Sequence, residues 1–356
     1  MSQPAASRQL IIRSTAQFAR LVGLSRSAVS RVLNEQPGLR ASTIERVHRA
    51  MAETGFTPNA HARHLRGKPT AVIGVCMENF FTPTAVAKLS VLQRQLTEAG
   101  YTTLAEMSQP GAFDNVVRHF LSLRVDGVIF IGHFEQVELA QRIAQLARHG
   151  TAYVVVDNSG LGRVQAVTLN RIAAMREVTA HLLKLGHRRI GLLGLSGPFQ
   201  TVVDRLHGVN EALAAHGLDP SRCLVSHDAR FERADHFEYG RTLAHSFAHL
   251  RDRPTAFLAV NDDTAVGALL EFQARGLRVP EDLSLVGFNN QNICLMTRPK
   301  LTSVDQQIDK TIAATVRSIV RQIELRENSR PQVRLIPAQL VLRGSTGPAS
   351  RHARKR

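Results

Sequence analysis

From Ala71 onward the chain is punctuated by short, continuous apolar runs: "AVIGVCM", "YTTLAEM", "VDGVIFI", "AYVVVD", "RIGLLGL", "TAFLAV" and "LSLVGF". Helix-length segments lie between most of them, at 85–99, 172–185 and 263–275. A strand buried on both faces reads as such a run, whereas a strand with one wet face alternates. Runs of this kind alternating with helices predict parallel sheets covered by helices on both sides. The rhythm continues through "RRIGLLGL", a helix at 202–216 and "TAFLAV", too long for one sheet of usual size. Two α/β lobes are therefore expected. Before residue 71 there are no strand-like runs, only short helical patterns, and "RGKPTA" marks the boundary with Gly67 and Pro69.

The helices of this first part can be placed individually. In "STAQFARLVG", Ala16, Phe18 and Ala19 surround a core face, Ser14 is a candidate N-cap and Gly23 a stop. In "LSRSAVSRVLN", Ser25 is the candidate cap. Val29, Val32 and Leu33 fall at i, i+3 and i+4, facing a core, which leaves Arg26, Ser27, Ser30 and Arg31 outside. A third helix at 41–54 carries a candidate capping box in Ser42 and Glu45 and ends at Gly55. Two short helices joined at Gly23 suggest a helix-turn-helix, whose second helix enters the major groove with its N-terminal residues leading. Arginine there can give two hydrogen bonds to one guanine. The spacing alone equally allows a basic surface helix on a helical hairpin.

Charge favours the first possibility. The chain of 356 residues is 44% apolar, enough for two or three real cores, and carries a net charge of +16. Residues 1–69 hold eleven Lys and Arg against Glu35, Glu45 and Glu53, so +8 of the +16 sits in about a fifth of the chain. A polyanionic partner fits that head, although an arginine-rich proteome would also raise the total. Cys76, Cys223 and Cys294 form no CxxC pair, and neither disulfides nor zinc are expected. The start "MSQPAASRQLIIRSTAQ" has no apolar run long enough for a leader or membrane span, so a cytoplasmic protein with no membrane partner is expected.

Enzyme motifs fail on inspection. The best glycine run, "GLLGLSG", is spaced GxxGxxG and lacks the acid a dinucleotide fold needs. "GLSGP" has Pro198 where a nucleophile elbow needs its second glycine. His61 and His64 are spaced to share a metal, but solvated histidines are the commoner outcome, and no metal or cofactor is expected. A secreted solute-binding protein with an appended basic domain is the main alternative function; the basic head and the missing leader argue against it.

Taken together, "VGLSRSAVSRVLN", "GFTPNAHARHLRGKPTAVIGV", "LGHRRIGLLG", "NDDTAVGALLEFQARGLRVPEDLSLVGF" and "LVLRGST" resemble the LacI (lactose repressor) family, in the family's order and spacing, from about Ser14 to Thr346. The resemblance implies an N-terminal all-α helix-turn-helix domain with a hinge helix, then a two-lobed α/β core similar to periplasmic binding proteins. The implied boundaries are 1–58 for the DNA-binding domain, with 1–12 disordered, 59–69 for the hinge helix and linker, 70–346 for the core, and 347–356 for a disordered basic tail. It further implies a transcription regulator, most simply a repressor, acting as a homodimer on a pseudo-palindromic double-stranded operator, in the bacterial cytoplasm and associated with the nucleoid. An activator or a corepressor-dependent regulator is the variant reading.

Carried over by position, the base-reading residues are Arg26, Ser27 and Arg31. Phosphate contacts fall near Ser14, Ser25, Ser30, Asn34 and Thr43. Asn59 caps the hinge helix, and Leu65 is either a minor-groove wedge or a packing residue between paired hinge helices. Two departures stand out: Arg40 where the family has a hydroxyl cap, with Ser42 as the substitute, and Gln17 where it has an acid. The effector pocket is expected to use Asn79, Phe81, Asn170, Thr201, Arg205, Phe231, Asp262 and Asn289. The family commonly has Asp where Asn79, Asn170, Asn289 and Asn290 stand, while Arg205 is kept. Fewer acids around a kept arginine suggest an anionic or less hydroxylated effector, unless some of these asparagines lie behind the pocket wall.

Overall fold

The computed structural model describes residues 12, 14–33, 36–56, 69–78, 80–108, 113–158, 160, 162, 164–197, 199–227, 235–325 and 330–350. The chain divides into two compact units, Met1–Thr70 and Ala71–Arg356.

The first unit is built from α1 (Thr15–Val22), α2 (Arg26–Leu33) and α3 (Ala41–Thr54). Ser14 caps α1 by accepting from the Gln17 N–H at 3.2 Å, and Ser25 caps α2 by accepting from the Ala28 N–H at 3.0 Å. Gly23 ends α1 at φ 64°, a left-handed conformation in which a side chain is disfavoured. Phe18, Ala19, Val22, Val29, Val32, Val47 and Phe56 form the core, with Phe18 stacked on Phe56 at 4.2 Å between ring centroids. The Ser42–Glu45 capping box does not form. Helix α3 starts at Ala41 with Arg40 at the cap position and no side-chain cap bond, which puts Ser42 inside the first turn. Ser25→Ala should cost about 0.5–2 kcal/mol, because an orphan helix N–H loses its acceptor. Thermal unfolding followed on this domain checks this, and an unshifted midpoint would show that water replaces the cap without penalty.

In the second unit the elements are β1 (Val72–Met77), α4 (Pro83–Glu98), β2 (Thr102–Met107), α5 (Phe113–Ser122), β3 (Gly127–Ile131), α6 (Gln136–Arg148), β4 (Ala152–Val156), β5 (Ala166–Leu169) and α7 (Arg171–Lys184). Next come β6 (Ile190–Leu193), α8 (Gln200–Ala215), α9 (Pro220–Cys223), β7 (Leu224–Ser226), α10 (His236–Ala248), β8 (Ala256–Ala259), α11 (Asp262–Ala274) and β9 (Ser284–Asn289). The last elements are α12 (Ile293–Met296), β10 (Thr302–Asp305), α13 (Ile308–Leu325), β11 (Val333–Ile336) and β12 (Gln339–Val341). They form two six-stranded sheets, ordered β11-β5-β4-β3-β1-β2 and β12-β10-β9-β8-β6-β7. Every pairing is parallel except β12 on β10. Each expected apolar run is a strand; β1, β3, β6 and β8 are buried on both faces inside their sheets, whereas β2, at a sheet edge, has no buried residue.

The chain passes between the lobes three times: from β5 into α7, from β10 into α13, and from β11 into β12. Helix α13 packs Ile312, Ala314, Val316 and Ile319 on the first sheet, and α7 packs Ala174, Met175, Val178 and Leu182 on the second. A disordered tail beginning at residue 347 is a second correction. The Gly347 N–H donates to Ser284 Oγ, its carbonyl lies 3.0 Å from His187 Nε2, and the Ala349 N–H donates to the Leu185 carbonyl, so 347–349 is docked on the second lobe. No helix among the described residues is long and apolar enough to cross a membrane.

Candidate functional site

Two places concentrate chemistry. One is the exposed side of α2. Val29 and Val32 lock the helix to its domain, leaving Arg26, Ser27 and Arg31 exposed. With Ser30 and Gln36 they line a shallow groove of about 450 Å³. Ser30 departs from its expected outward position: it is only 9% exposed, at the floor of that groove. Arg31 is held back toward the following loop, donating to the Pro37 carbonyl at 3.2 Å. Ser14 and Ser25 are exposed at helix starts, where free N–H groups and the helix dipole favour phosphate. Thr43 is half-buried in the first turn of α3. Asn34, Asn59 and Leu65, and with them the hinge segment up to residue 68, lie outside the described residues.

The other place is where the carboxyl edges of the two sheets face each other, the usual ligand position in parallel α/β folds. Cross-lobe bonds define it. His133, just after β3, sits with Nε2 2.7 Å from Thr201 Oγ1 at the start of α8, and Gln291, after β9, donates to Thr84 Oγ1 at 3.3 Å. His133 is oriented by Glu78, whose Oε2 accepts the His133 backbone N–H at 2.7 Å. Burial would raise the Glu78 carboxyl, but its hydrogen bonds to His133 outweigh that and hold it below the usual range. Phe199 stands edge-on to His133 at 5.5 Å.

Behind these residues is a group of buried charges. Asp157, directly after β4, accepts from Lys88 Nζ on one oxygen and from Arg171 Nη2 on the other, the latter at 2.7 Å. Arg171 also donates to Thr168 Oγ1 at 2.9 Å. Arg205, in the second turn of α8, donates to the Val260 carbonyl at 2.7 Å and lays its guanidinium 3.7 Å over the Phe288 ring. Lys88, Arg171 and Arg205 are 6%, 3% and 7% exposed. Burial pushes the Asp157 carboxyl up, yet Lys88 and Arg171 overcome this and hold it well below the carboxylate range. Burial lowers the Lys88 ammonium against the pull of Asp157. The Arg205 guanidinium is pushed down to about 9 by burial and by the charge of Arg171.

The expected pocket residues fare unevenly. Arg205 and Thr201 are at the junction, both nearly buried. Phe81 is 77% exposed on the loop after β1. Asn170 is the N-cap of α7, with Oδ1 accepting from the Ala173 N–H at 3.1 Å. Asn289 accepts from Gln306 Nε2, and Asn290 is clamped between Asp305 and Arg343. These three asparagines are engaged in caps and strand-end locks, so they carry no argument about pocket charge. Asp262 is likewise corrected. It is fully buried, its oxygens accept from Ser303 Oγ and from the Gln291 N–H at 2.7 Å, and burial raises its carboxyl to about 6. It locks the α11 start to β9–β10 rather than offering an oxygen to a ligand. Asn79 and Phe231 lie outside the described residues.

No motif in the sequence points to Lys88, Asp157, Arg171 or the Glu78–His133 pair. Two signals were readable. Lys88 shares the buried i, i+4, i+8 stripe of Leu92 and Leu96 on α4, where a charge is out of place. Arg171 opens α7, the helix end that repels cations.

Comparison with known proteins follows the same division. A family model for bacterial regulatory proteins of the lacI family matches residues 17–59, and one for a periplasmic binding protein-like domain matches 179–346. The HTH-type transcriptional regulator MalR of Streptomyces coelicolor is 30% identical over 344 residues, covering 94% of this chain and 96% of that protein. The HTH-type transcriptional regulator DegA of Bacillus subtilis is 27% identical, with 93% and 97% covered. Among solved structures, the lac repressor dimer bound to operator and the anti-inducer ONPF superposes with a TM-score of 0.81 at 25% identity, covering 94% of this chain and 99% of that one. A transcriptional regulator CelR–cellobiose complex gives 0.66, also at 25% identity, over 94% and 100%. With the head, both lobes and their order matched end to end, the chain belongs to the LacI family of bacterial regulatory proteins, DNA-binding transcription regulators with an effector-binding core.

Proposed function

We propose that this regulator is a cytoplasmic repressor that binds a pseudo-palindromic operator as a homodimer and is controlled by a small molecule of the sugar class, carrying negative charge, held between its lobes. The observation that carries the DNA half is the face of α2: its apolar residues are locked away while Arg26, Ser27 and Arg31 stay exposed on a head of high positive charge. In this reading Arg26 and Ser27 reach base edges. Arg31 joins them after releasing Pro37. Ser14, Ser25 and Thr43 position phosphates. Asn34, and Asn59 with Leu65 in the hinge, complete the contact set that the family likeness suggests.

For the effector half, the support is the position of Arg205, Thr201 and His133 between the facing sheet edges. Two similar proteins have been solved with sugars: CelR in complex with cellobiose, and an Enterococcus faecium LacI family regulator with bound ribose. Bonds that cross from lobe to lobe, His133 to Thr201 and Gln291 to Thr84, are those a ligand would remake on closure. Whatever the sign of the response, operator and effector must change each other's affinity by the same factor.

A gel-shift with fragments of the promoters around its own gene, at two salt concentrations and with candidate effectors, tests this. Retention of one fragment at moderate salt, altered by one ligand, is expected; retention of all fragments alike, vanishing steeply with salt, would reduce the head to a nonspecific basic domain. Within that assay, Arg26→Ala should cost about 1–3 kcal/mol at one base pair and relax the preference there. An equal loss on every sequence would assign Arg26 to phosphate only.

A further inference from the structure

Three buried cations lie around one carboxylate at the lobe junction: Lys88 and Arg171 bond to Asp157, and Arg205 feels the charges of Asp157 and Arg171 without a bond to either. Lys88 comes from α4 and Asp157 from the end of β4, both in the first lobe. Arg171 begins α7 where the chain crosses over, and Arg205 comes from α8 of the second lobe. Three positive groups and one negative leave an excess of two positive charges, with Asp157 the acid that acts on both Lys88 and Arg205. Burying unbalanced charge is costly, and arginine does not escape by losing its proton near neutral pH. Donors are also in excess. Nε of both Arg171 and Arg205 is buried with no hydrogen-bond partner among the described residues, and Arg205 otherwise uses a single N–H, toward Val260. Buried donors without partners are rare and point to a missing acceptor.

We propose that Lys88, Arg171 and Arg205 are the seat of a phosphate monoester on the effector. This rests on the reading of the lobe junction as the effector site and adds what group the effector carries. A phosphomonoester brings about −1.5 to −2 charges at neutral pH and three strong acceptor oxygens, matching both the excess charge and the spare donors. A carboxylate brings one charge and two oxygens and leaves the group half-balanced. The flat guanidinium forks suit phosphate in pairs. Phe288 and Val260 hold Arg205 in place before any ligand arrives, so little ordering is needed on binding. Because the cations come from both lobes, a bound dianion draws the lobes together.

The test is calorimetry on the full-length protein at fixed ionic strength, with four probes: inorganic phosphate, glucose 6-phosphate, gluconate and glucose. Phosphate-bearing probes should bind and the other two should bind far more weakly. Lys88→Met should weaken phosphate roughly 10- to 100-fold, the loss of one charge-assisted bond. Arg205→Gln, which leaves Lys88–Asp157–Arg171 intact, should do the same and stands in if the first variant fails to fold. Equal phosphate binding by wild type and both variants would put the anion on the basic head and overturn the proposal. So would tight binding of glucose or gluconate with phosphate inert. If one of those non-phosphate ligands also releases promoter DNA, the effector-controlled repressor reading survives while the phosphate seat does not. Phosphate binding that is lost in both variants, with no ligand altering DNA retention, would keep the seat and remove the control reading.

Discussion

Asp157→Ala should lower the unfolding free energy of the core by about 3–5 kcal/mol, the range for breaking a buried ion pair from one side. The carboxylate is 7% exposed and is paired with both Lys88 and Arg171, which are as deeply buried; without it two cations face each other and Arg205 across a water-poor junction. Removal of both partners would be milder, since the penalty comes from the stranded charge rather than from the lost bond. The effect depends on pH in a defined direction. The Asp157 carboxyl lies below its unfolded value of about 3.9, so its contribution is complete above that pH and fades as pH falls through the folded value. Urea unfolding of wild type and variant should therefore differ most at neutral pH and converge on acidification. Equal midpoints at pH 7 would mean that water reaches the junction and screens the cations.

Gly240→Ala and Gly267→Ala should each cost about 3 kcal/mol or more, because overpacking against backbone cannot be relieved by a rotamer change. These glycines face each other's helices. A Cβ on Gly240 in α10 would lie 2.0 Å from the Thr264 carbonyl oxygen of α11, and one on Gly267 in α11 2.0 Å from the Phe237 carbonyl oxygen of α10. Helix propensity alone argues the other way, since alanine in a helix interior gains about 1 kcal/mol over glycine. The sign of the measured change thus separates the two effects. A rise in Tm for either variant would show that α10 and α11 are not in backbone contact.

The layout of the core was plain in the apolar runs, because strands buried on both faces leave no room for polar residues and so announce themselves. Five strands escaped that reading: β5, β7, β10, β11 and β12. They are three or four residues long, and several carry Thr, Ser, Asp, Arg or Gln, as in "TSVD" and "VRLI". Such segments become strands because a neighbouring strand supplies their hydrogen-bond partners, a non-local cause with no local pattern. The caps at Ser14 and Ser25 were local and readable, whereas Ser42 misled because a capping box looks the same one turn inside a helix as at its start.

The candidate site divides along the same line. Amphipathic spacing on α2 decides which residues are outside, so Arg26, Ser27 and Arg31 followed from the chain alone, while Ser30 turned on how deep the helix sits. For the core, asparagine content suggested a pocket short of acids. That reasoning rested on the wrong residues, since Asn170, Asn289 and Asn290 are bound up in the framework. The positive character comes from Lys88 and Arg171, which stand 83 positions apart and meet only on Asp157.

What the chain alone determined, then, was a basic three-helix head, two parallel α/β lobes, and the family to which their order belongs, since periodicity and capping act over a few residues. Tertiary structure decided which charges are buried together. A charge acquires its meaning from the partners and the dielectric around it, and those come from segments that sequence separation hides: α4, β4, α7 and α8 converge where two sheet edges face each other, and only that convergence turns four ordinary residues into an unbalanced cationic group.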